Sequence, residues 1–187
     1  MEELKLNLGC GVRKLDGYVN VDKFGSPDLM HDLEVFPWPW QTDSVSKIKM
    51  VHVLEHLGQA VDVYFGVIKE LYRVCCHGAS IQIVVPHHRH RYFYDDPTHV
   101  RVVTPMGLML FSKRMNRQWL AEGKSNTPLG LHLEVDLELK SINAKPSKEW
   151  HNLYPDSIDD LELLKKESEI YNNLIEQFDM ELEVVKE

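Results

Sequence analysis

Apolar residues recur with two different periods along the first half of the chain. Short apolar runs predict strands at 4–8, 18–22, 45–53 and 80–85. Between the last two runs, apolar residues fall at three- and four-residue spacing, which is typical of one buried helix face (Leu57, Val61, Tyr64, Ile68, Leu71 and Cys75). We expect Gly78 to end this helix, because glycine is favoured just past a helix end.

The second half of the chain carries weaker patterns. Residues 106–115 are amphipathic and predict a helix, and the breaker-rich stretch 116–130 predicts a loop. Strict alternation over 131–142 predicts a half-exposed strand. The charged stretch 156–176 predicts a helix, and the alternation over 178–185 predicts a last strand that pairs with the earlier one.

A glycine turn follows the first predicted strand and precedes an acidic strand end. The first strand, a Leu-rich run, suits a central parallel strand that is covered on both faces. Gly9 and Gly11 lack a Cβ, so the backbone there can bend sharply and approach a ligand. Asp22 ends the next strand, and ligands of open α/β sheets bind at the carboxyl ends of the strands. A carboxylate there can accept both hydroxyl hydrogens of a ribose, so the pattern predicts a nucleoside pocket.

Two common nucleotide motifs are missing from this turn. The dinucleotide fingerprint requires a third glycine where Lys14 stands, and the Walker sequence Gly-Lys-Ser/Thr is absent. Asp22 also follows the turn closely, whereas the usual acidic residue lies about 20 residues on. We therefore expect a first helix that is short or nearly absent, and we disfavour an NAD-dependent oxidoreductase.

Four strings in this order resemble the class I S-adenosylmethionine-dependent methyltransferases, especially a small, type 11-like branch with a shortened first helix. They are Leu-Asn-Leu-Gly-Cys-Gly at 6–11, Val-Asn-Val-Asp at 19–22, His-Val-Leu-Glu-His-Leu at 52–57 and Glu-Leu-Tyr-Arg-Val at 70–74. The resemblance covers most of residues 4–86. It implies a Rossmann-like α/β fold whose mostly parallel sheet ends in a C-terminal antiparallel strand pair.

The resemblance also implies a cofactor, S-adenosylmethionine, and a set of contacts. Asp32 and Leu33, which precede the proline–aromatic segment 36–40, correspond to adenine contacts in that family. The structural alternative for Asp32 is an ordinary turn or cap. The predicted cofactor-binding residues are Asn7, Gly9, Cys10, Gly11, Asp22, Asp32, Leu33, His52, Val53 and His56.

The segment 87–101 is rich in histidine, arginine and aromatic residues and follows the fifth strand of the resembled fold. That position lines the acceptor site in the family. Imidazoles can move protons near neutral pH, so His88, Asp96 and His99 are our candidates for a general base. The alternatives are a solvated loop in which His99 caps or packs locally, and a histidine cluster that takes up zinc opportunistically.

The string 52–57 also invites a metal interpretation, which the spacing disfavours. In His-Glu-x-x-His the glutamate follows the first histidine, whereas Glu55 directly precedes the second histidine, His56. The remaining alternatives are packing of His52 and His56 at a strand–helix junction and a role beside the cofactor. We favour the latter and expect no metal site.

Composition narrows the class of protein without naming its substrate. The chain has 187 residues, 43% hydrophobic and 27% charged, which suits one globular domain. We divide it into a cofactor-binding half (4–86), an acceptor-side loop and helix (87–130) and C-terminal strands and helix (131–187) within a single domain, 1–187. The net charge of −8 offers no clear nucleic-acid footprint, and the half-exposed strands permit a homodimer without requiring one.

The three cysteines show no disulfide or metal spacing, which favours a reducing cytoplasm. We expect no signal peptide, and no apolar run approaches the roughly 20 residues that cross a bilayer. The sequence thus predicts transfer of a methyl group to an unidentified acceptor, most simply a small molecule. The rival hypothesis is a non-catalytic S-adenosylmethionine-binding subunit or sensor that needs a partner.

Overall fold

One seven-stranded sheet runs through the computed structural model, which describes residues 3–186. Its strand order is β3-β2-β1-β4-β5-β7-β6. The strands are β1 (Leu4–Leu8), β2 (Val19–Asp22), β3 (Leu29–Met30), β4 (Val45–Val51), β5 (Cys75–Pro86), β6 (Leu137–Pro146) and β7 (Ile175–Val184). The first five strands are parallel, while β7 is antiparallel to both β5 and β6. The predicted fold class is therefore confirmed, including the antiparallel C-terminal pair.

The helices lie in the segments that connect β4 to β5, β5 to β6 and β6 to β7. They are α1 (Val61–Val74), α2 (Arg91–Asp95), α3 (Pro105–Met109), α4 (Lys113–Ala121), α5 (Leu129–Leu133), α6 (Lys148–Leu153) and α7 (Leu161–Ser168), with single 3₁₀ turns at Leu54–His56 and Pro155–Ser157. Residues 9–18, all within the described range, form turns and contain no helix, as the short connector predicts. No helix of the described residues is long and apolar enough to span a bilayer.

The two faces of the sheet differ in chemistry. Residues paired across neighbouring strands share a face, and one such row consists of Leu6, Ile48, Ile81 and Leu182, all fully buried in the main core with α1. The adjacent row on the other face is polar, with Asn7, Lys49, Gln82, Glu181 and Ser141, and becomes exposed toward β6. The expectation of burial on both faces concerned β1 alone, and its carboxyl half fits it, because Asn7 on the second face is buried like Leu6 and Leu8.

In the first half of the chain, the structure differs from the prediction at Gly78. Helix α1 ends at Val74, because β5 already begins at the next residue. Gly78 instead lies in an irregular stretch of β5, with φ +77°, where the pairing with β4 jumps from Cys75 to Ser80. The positive φ explains the glycine, but it serves a strand irregularity and not a helix end.

In the second half, capping side chains divide the segments differently from the prediction. The Ser112 hydroxyl accepts a hydrogen bond from Met115 N at 3.0 Å and starts α4 in the middle of the predicted helix. Helix α4 therefore occupies part of the predicted loop, and α5 occupies the start of the predicted strand, so β6 begins at Leu137. The Asp160 carboxylate caps α7, which ends at Ser168, and Ile175 already belongs to β7.

Candidate functional site at the carboxyl edge of the sheet

A cavity of about 180 Å³ opens at the carboxyl ends of the parallel strands. Its lining comes from the turns after β1, β2, β3 and β4, namely Gly9, Asp22, Lys23, Phe24, His31, Asp32, Leu33, His52, Val53, His56 and Leu57. Asn7, Cys10 and Gly11 line an adjoining concave surface that shares Gly9 and His52 with the cavity. All ten residues predicted to bind the cofactor therefore border one continuous depression.

The glycine turn after β1 fits tightly on one side and is open on the other. Gly9 has φ +65°, and a Cβ there would lie 2.4 Å from Val53 Cγ2. Gly11 has φ +52°, and a Cβ there would meet no atom within 4 Å. Gly9 thus lets the first turn close against the β4 end, while Gly11 leaves backbone accessible from solvent.

Asp22 connects the β2 end to this turn. Its Oδ2 accepts a hydrogen bond from Gly11 N at 2.8 Å, and its Oδ1 accepts one from Phe24 N at 2.9 Å. The carboxylate is half-exposed at the cavity, so further lone pairs on both oxygens face the opening. A neighbouring thiol, Cys10, is buried, and burial together with the charge of Asp22 raises its pKa.

Beneath the turn, Asn7 and Asn20 form a buried, hydrogen-bonded amide pair. Asn7 Nδ2 donates to Asn20 Oδ1 at 2.8 Å and to Arg13 O at 3.0 Å. Asn20 Oδ1 also accepts a hydrogen bond from Leu15 N at 2.8 Å, and Asn20 Nδ2 donates one to Asp28 Oδ2 at 2.7 Å. The ion pair with Lys14 and the hydrogen bonds from Asn20 lower the pKa of Asp28 to about 2. Both N–H groups of Asn7 are thus engaged within the protein, which gives this residue a supporting position.

Asp32 and Leu33 form the floor of the cavity next to the proline–aromatic segment. Asp32 Oδ1 accepts Glu34 N at 3.0 Å, which is the local turn that the structural alternative describes, and Oδ2 lies 3.6 Å from Lys23 Nζ. Leu33 is buried, and its carbonyl accepts Trp38 Nε1 at 3.1 Å. Both residues nevertheless line the cavity, so the turn and the predicted contact are compatible.

A buried ion pair fixes this aromatic segment to α1. Glu70 Oε2 accepts Trp38 N at 2.7 Å and Arg73 Nη2 at 2.6 Å, and Arg73 Nη1 reaches Trp40 O at 2.9 Å. Burial alone would raise the pKa of Glu70, but the hydrogen bonds from Arg73 and Trp38 outweigh it and lower the pKa. The segment therefore packs as a rigid wall and not as a flexible loop.

The turn after β4 has unusual backbone and side-chain features. His52 has φ +55°, a conformation that residues other than glycine rarely adopt. Glu55 follows in the 3₁₀ turn, is 0% exposed, and neither of its carboxylate oxygens has a hydrogen-bond partner among the described residues. His52 Nδ1 lies 3.3 Å from Glu55 Oε1. The strained backbone and the unpaired buried carboxylate together make this turn a candidate functional element.

The loop after β5 returns to the same turn through backbone hydrogen bonds. The carbonyl of Glu55 accepts Val100 N at 2.9 Å and Arg101 N at 3.1 Å. These bonds place the ring of His99 against that of His56, with centroids 4.5 Å apart. Asp96 joins them through Thr98, whose hydroxyl lies 2.6 Å from Asp96 Oδ1 and 2.9 Å from His56 Nδ1.

His88, the third candidate base, is not part of this group. Its ring packs on His87, with centroids 4.4 Å apart, and its Nδ1 is buried without a partner among the described residues. Burial and the charge of Arg89 lower the pKa of His88. No hydrogen bond or ring contact joins His88 to Asp96 or His99 within residues 3–186. The structure thus brings two of the three candidates together.

Sequence reasoning missed several residues of the site. Lys23, Phe24, His31 and Leu57 line the cavity, and Glu55 lies buried behind it. The first two directly follow the acidic strand end, a position from which contact with the pocket was predictable. Glu55 carries no such signal, because a single acidic residue in an apolar string does not reveal whether its side chain is paired.

Comparison with known proteins adds the fold and little beyond it. No protein-family model matches the chain, and no curated protein matches it. Solved structures do match. A SAM-dependent methyltransferase from Archaeoglobus fulgidus is 18% identical, with a TM-score of 0.53 over 97% of this chain and 86% of that one. One from Methanosarcina mazei is 14% identical, with a TM-score of 0.54 over 100% and 95%.

A third structure cautions against equating this fold with one reaction. The [4+2]-cyclase SpnF is 10% identical, with a TM-score of 0.53 over 99% of this chain and 76% of that one. Because that protein is a cyclase, similarity at this level defines architecture and not chemistry. By its strand order and these similarities, the chain has the Rossmann-like fold of the class I S-adenosylmethionine-dependent methyltransferases.

Proposed function

We propose that this protein binds S-adenosylmethionine in the cavity at the carboxyl edge and transfers its methyl group to a small-molecule acceptor. The observation that carries the proposal is the position of the Asp22 carboxylate, half-exposed at the mouth of the cavity and tied to the Gly9–Gly11 turn. Two neighbouring oxygens in that place suit the two hydroxyls of a ribose. The backbone at Gly11 has no side chain to keep a ligand away.

Different groups of residues around the cavity suit the adenine and the amino-acid portion of this cofactor. Asp32 offers a carboxylate and Leu33 an apolar wall and a backbone amide to an adenine ring, on the rigid floor built by Trp38. The turn at Gly9, Cys10 and Gly11 borders the adjoining surface, where the amino-acid part of the cofactor fits. His52, Val53 and His56 close the side that faces the loop after β5.

The bound cofactor would supply an activated methyl group, so the protein's work is to align the acceptor and exclude water. The loop 87–101 lies at the correct edge for that work, since Glu55 O anchors it beside the cavity. An acceptor that must lose its proton needs a base, and His99, Asp96 and His88 remain the candidates. Their substitution should lower kcat on a true substrate and leave cofactor affinity unchanged.

Calorimetric titration with S-adenosylhomocysteine tests the pocket without knowledge of the acceptor. We expect one site per chain in the wild type, loss of binding in Asp22→Ala and weakened binding in Asp22→Asn. Asp16→Ala is the matched control, because Asp16 is an exposed aspartate of the same connector with no hydrogen bond among the described residues. A folded wild type that does not bind, or an Asp22→Ala variant that binds normally, contradicts the proposal.

A further inference from the structure

Three side chains that accept protons or metals converge beside the cofactor cavity. Glu55, His56 and His99 each present one ligand atom, and these atoms all lie within 4.8 Å of one another. Glu55 comes from the turn after β4 and His99 from the loop after β5, and the backbone bonds to Glu55 O bring the two segments together. Sequence spacing alone did not indicate this cluster.

Hydrogen bonds assign the same tautomer to both imidazoles. His99 Nδ1 lies 2.8 Å from Phe93 O, and because a carbonyl only accepts, this nitrogen carries the proton. Thr98 Oγ1 donates to the Asp96 carboxylate at 2.6 Å, so it accepts from His56 Nδ1 at 2.9 Å. Each neutral ring therefore keeps a lone pair on Nε2.

No lysine or arginine side chain pairs with this cluster among the described residues. Glu55 is fully buried, neither carboxylate oxygen receives a hydrogen bond within the described residues, and each ring beside it offers an Nε2 lone pair in its neutral form. His99 Nε2 also lies 3.9 Å from Asp96 Oδ2. Only His52 approaches, at 3.3 Å from one oxygen, and its side chain is 42% exposed. Buried carboxylates are otherwise paired or bound to metal. A proton on one of these groups would compensate a single pair, whereas a metal ion would engage all three ligand atoms at once.

We propose that Glu55, His56 and His99 bind a divalent transition-metal ion of the zinc class. Two imidazole nitrogens and one carboxylate form the three-ligand set that catalytic zinc sites use, with a further position open to water or substrate. Nitrogen ligands disfavour magnesium and calcium, which prefer oxygen. The contacts of His56 with Thr98 and of His99 with Phe93 O are the supporting hydrogen bonds that orient metal-bound histidines.

The proposal rests on these residues and not on the proposed methyl transfer. The ion would nevertheless lie beside the cofactor cavity, because its ligand His56 also lines that cavity. An ion at that edge can hold an electron-rich atom of a second substrate and favour its deprotonation. In that arrangement His99 positions the metal and does not act as a free base.

The test is metal binding by the untagged full chain after treatment with a chelator. We expect isothermal titration with Zn²⁺ to give one ion per chain, and Co²⁺ to give the visible absorption of a low-coordinate nitrogen–oxygen site. Glu55→Gln and His99→Ala should each weaken Zn²⁺ binding by more than the roughly 10- to 100-fold that losing a supporting hydrogen bond costs. His151→Ala removes an exposed histidine on α6 and should bind as the wild type does.

Circular dichroism and S-adenosylhomocysteine titration, both with chelator present, accompany each variant. Glu55 and His99 do not line the cavity, so a folded variant keeps cofactor affinity while it loses the metal. If Glu55→Gln fails to fold, His99→Ala decides. A wild type that takes up no ion, or His99→Ala that binds Zn²⁺ with wild-type affinity, overturns the metal site. Absent cofactor binding contradicts the proposed function alone.

Discussion

Two groups of buried polar side chains at the sheet's carboxyl edge differ in how they are paired. At the β1–β2 end, the amides of Asn7 and Asn20 are buried, and both make hydrogen bonds inside the protein. At the β4–β5 end, Glu55 and His88 have buried polar atoms without partners in the described residues. The comparison teaches that the Asn7–Asn20 pair makes its hydrogen bonds inside the protein, whereas the Glu55 carboxylate keeps its acceptors free. His31 Nε2, in the turn after β3, is also buried without a partner among the described residues, so the contrast is between these two groups of side chains and not between whole ends of the sheet.

The first prediction removes hydrogen bonds from the Asn7–Asn20 pair at the β1–β2 end. Asn20→Ala removes the acceptor of Asn7 Nδ2 and Leu15 N together with the donor to Asp28. Leaving several buried groups unpaired should lower the free energy of unfolding by about 3 kcal/mol, because each orphaned group costs roughly 1–3 kcal/mol. Urea denaturation monitored by circular dichroism measures the change. A loss below about 1 kcal/mol would mean that water replaces these bonds.

The second prediction concerns Glu55 at the β4–β5 end, where the substitution should raise the free energy of unfolding instead of lowering it. Glu55→Leu removes a buried carboxylate that lacks hydrogen bonds, so the metal-free protein should become more stable by about 1–2 kcal/mol. Urea denaturation in chelator gives the value. Added Zn²⁺ should then stabilise the wild type and leave Glu55→Leu unaffected, since only an ion that binds the folded state shifts the equilibrium. A destabilised Glu55→Leu in chelator would show that the charge is already compensated.

The third prediction concerns the glycine turn between the two ends. Gly11→Ala places a side chain at φ +52°, which should cost about 1 kcal/mol of stability even though the space is open. The new methyl group should weaken S-adenosylhomocysteine binding more than it weakens the fold, because it occupies the face that the ligand approaches. Thermal melts with and without the ligand separate the two effects. Gly123→Ala, at φ +68° on a distant loop with equally open space, is the matched control.

The fourth prediction has the smallest effect on stability at neutral pH and concerns His87, which directly follows β5. His87 is buried, its Nδ1 accepts Arg89 N at 3.2 Å, and burial with the nearby positive groups lowers its pKa from 6.5 to about 4. At pH 7 the ring is mostly neutral in both the folded and the unfolded state, so His87 lowers the stability little there. Between pH 6.5 and about 4 only the unfolded chain takes up the proton, so stability must fall as the pH falls.

Urea denaturation at pH 7, 6, 5 and 4 tests this dependence. His87→Phe, which keeps an aromatic ring beside Phe178, should flatten the decline. His151→Phe, on an exposed surface, should leave the slope of the wild type unchanged. An identical slope in His87→Phe would place the acid sensitivity elsewhere, with His88 and His90 the next candidates because burial lowers the pKa of both from 6.5.

Local patterns predicted the first half of the chain well and the second half poorly. The strands around Leu6, Val21, Ile48 and Ile83 are buried in the core, where apolar runs are a strong signal. In the second half, capping by Ser112 splits one predicted helix and moves the next into a predicted loop. The residues 131–133 alternate like a strand but form the end of α5, because Gly130 and Leu131 hydrogen-bond to Leu110 and Asn116 across the loop. Such long-range contacts leave no periodic trace.

The candidate site divides in the same way. The sequence alone placed Gly9, Gly11 and Asp22 at one edge, because a turn after one parallel strand and an acid at the end of the next must meet there. Only the tertiary structure decided that His99 reaches His56, and that Glu55 is buried beside them without a hydrogen bond on its carboxylate. The physical reason is that the position of a strand along the chain follows from local pattern, whereas the pairing of a buried charge depends on which distant backbone groups close over it. Those groups, Val100 N and Arg101 N, bind the carbonyl of Glu55 and leave its carboxylate free for a ligand.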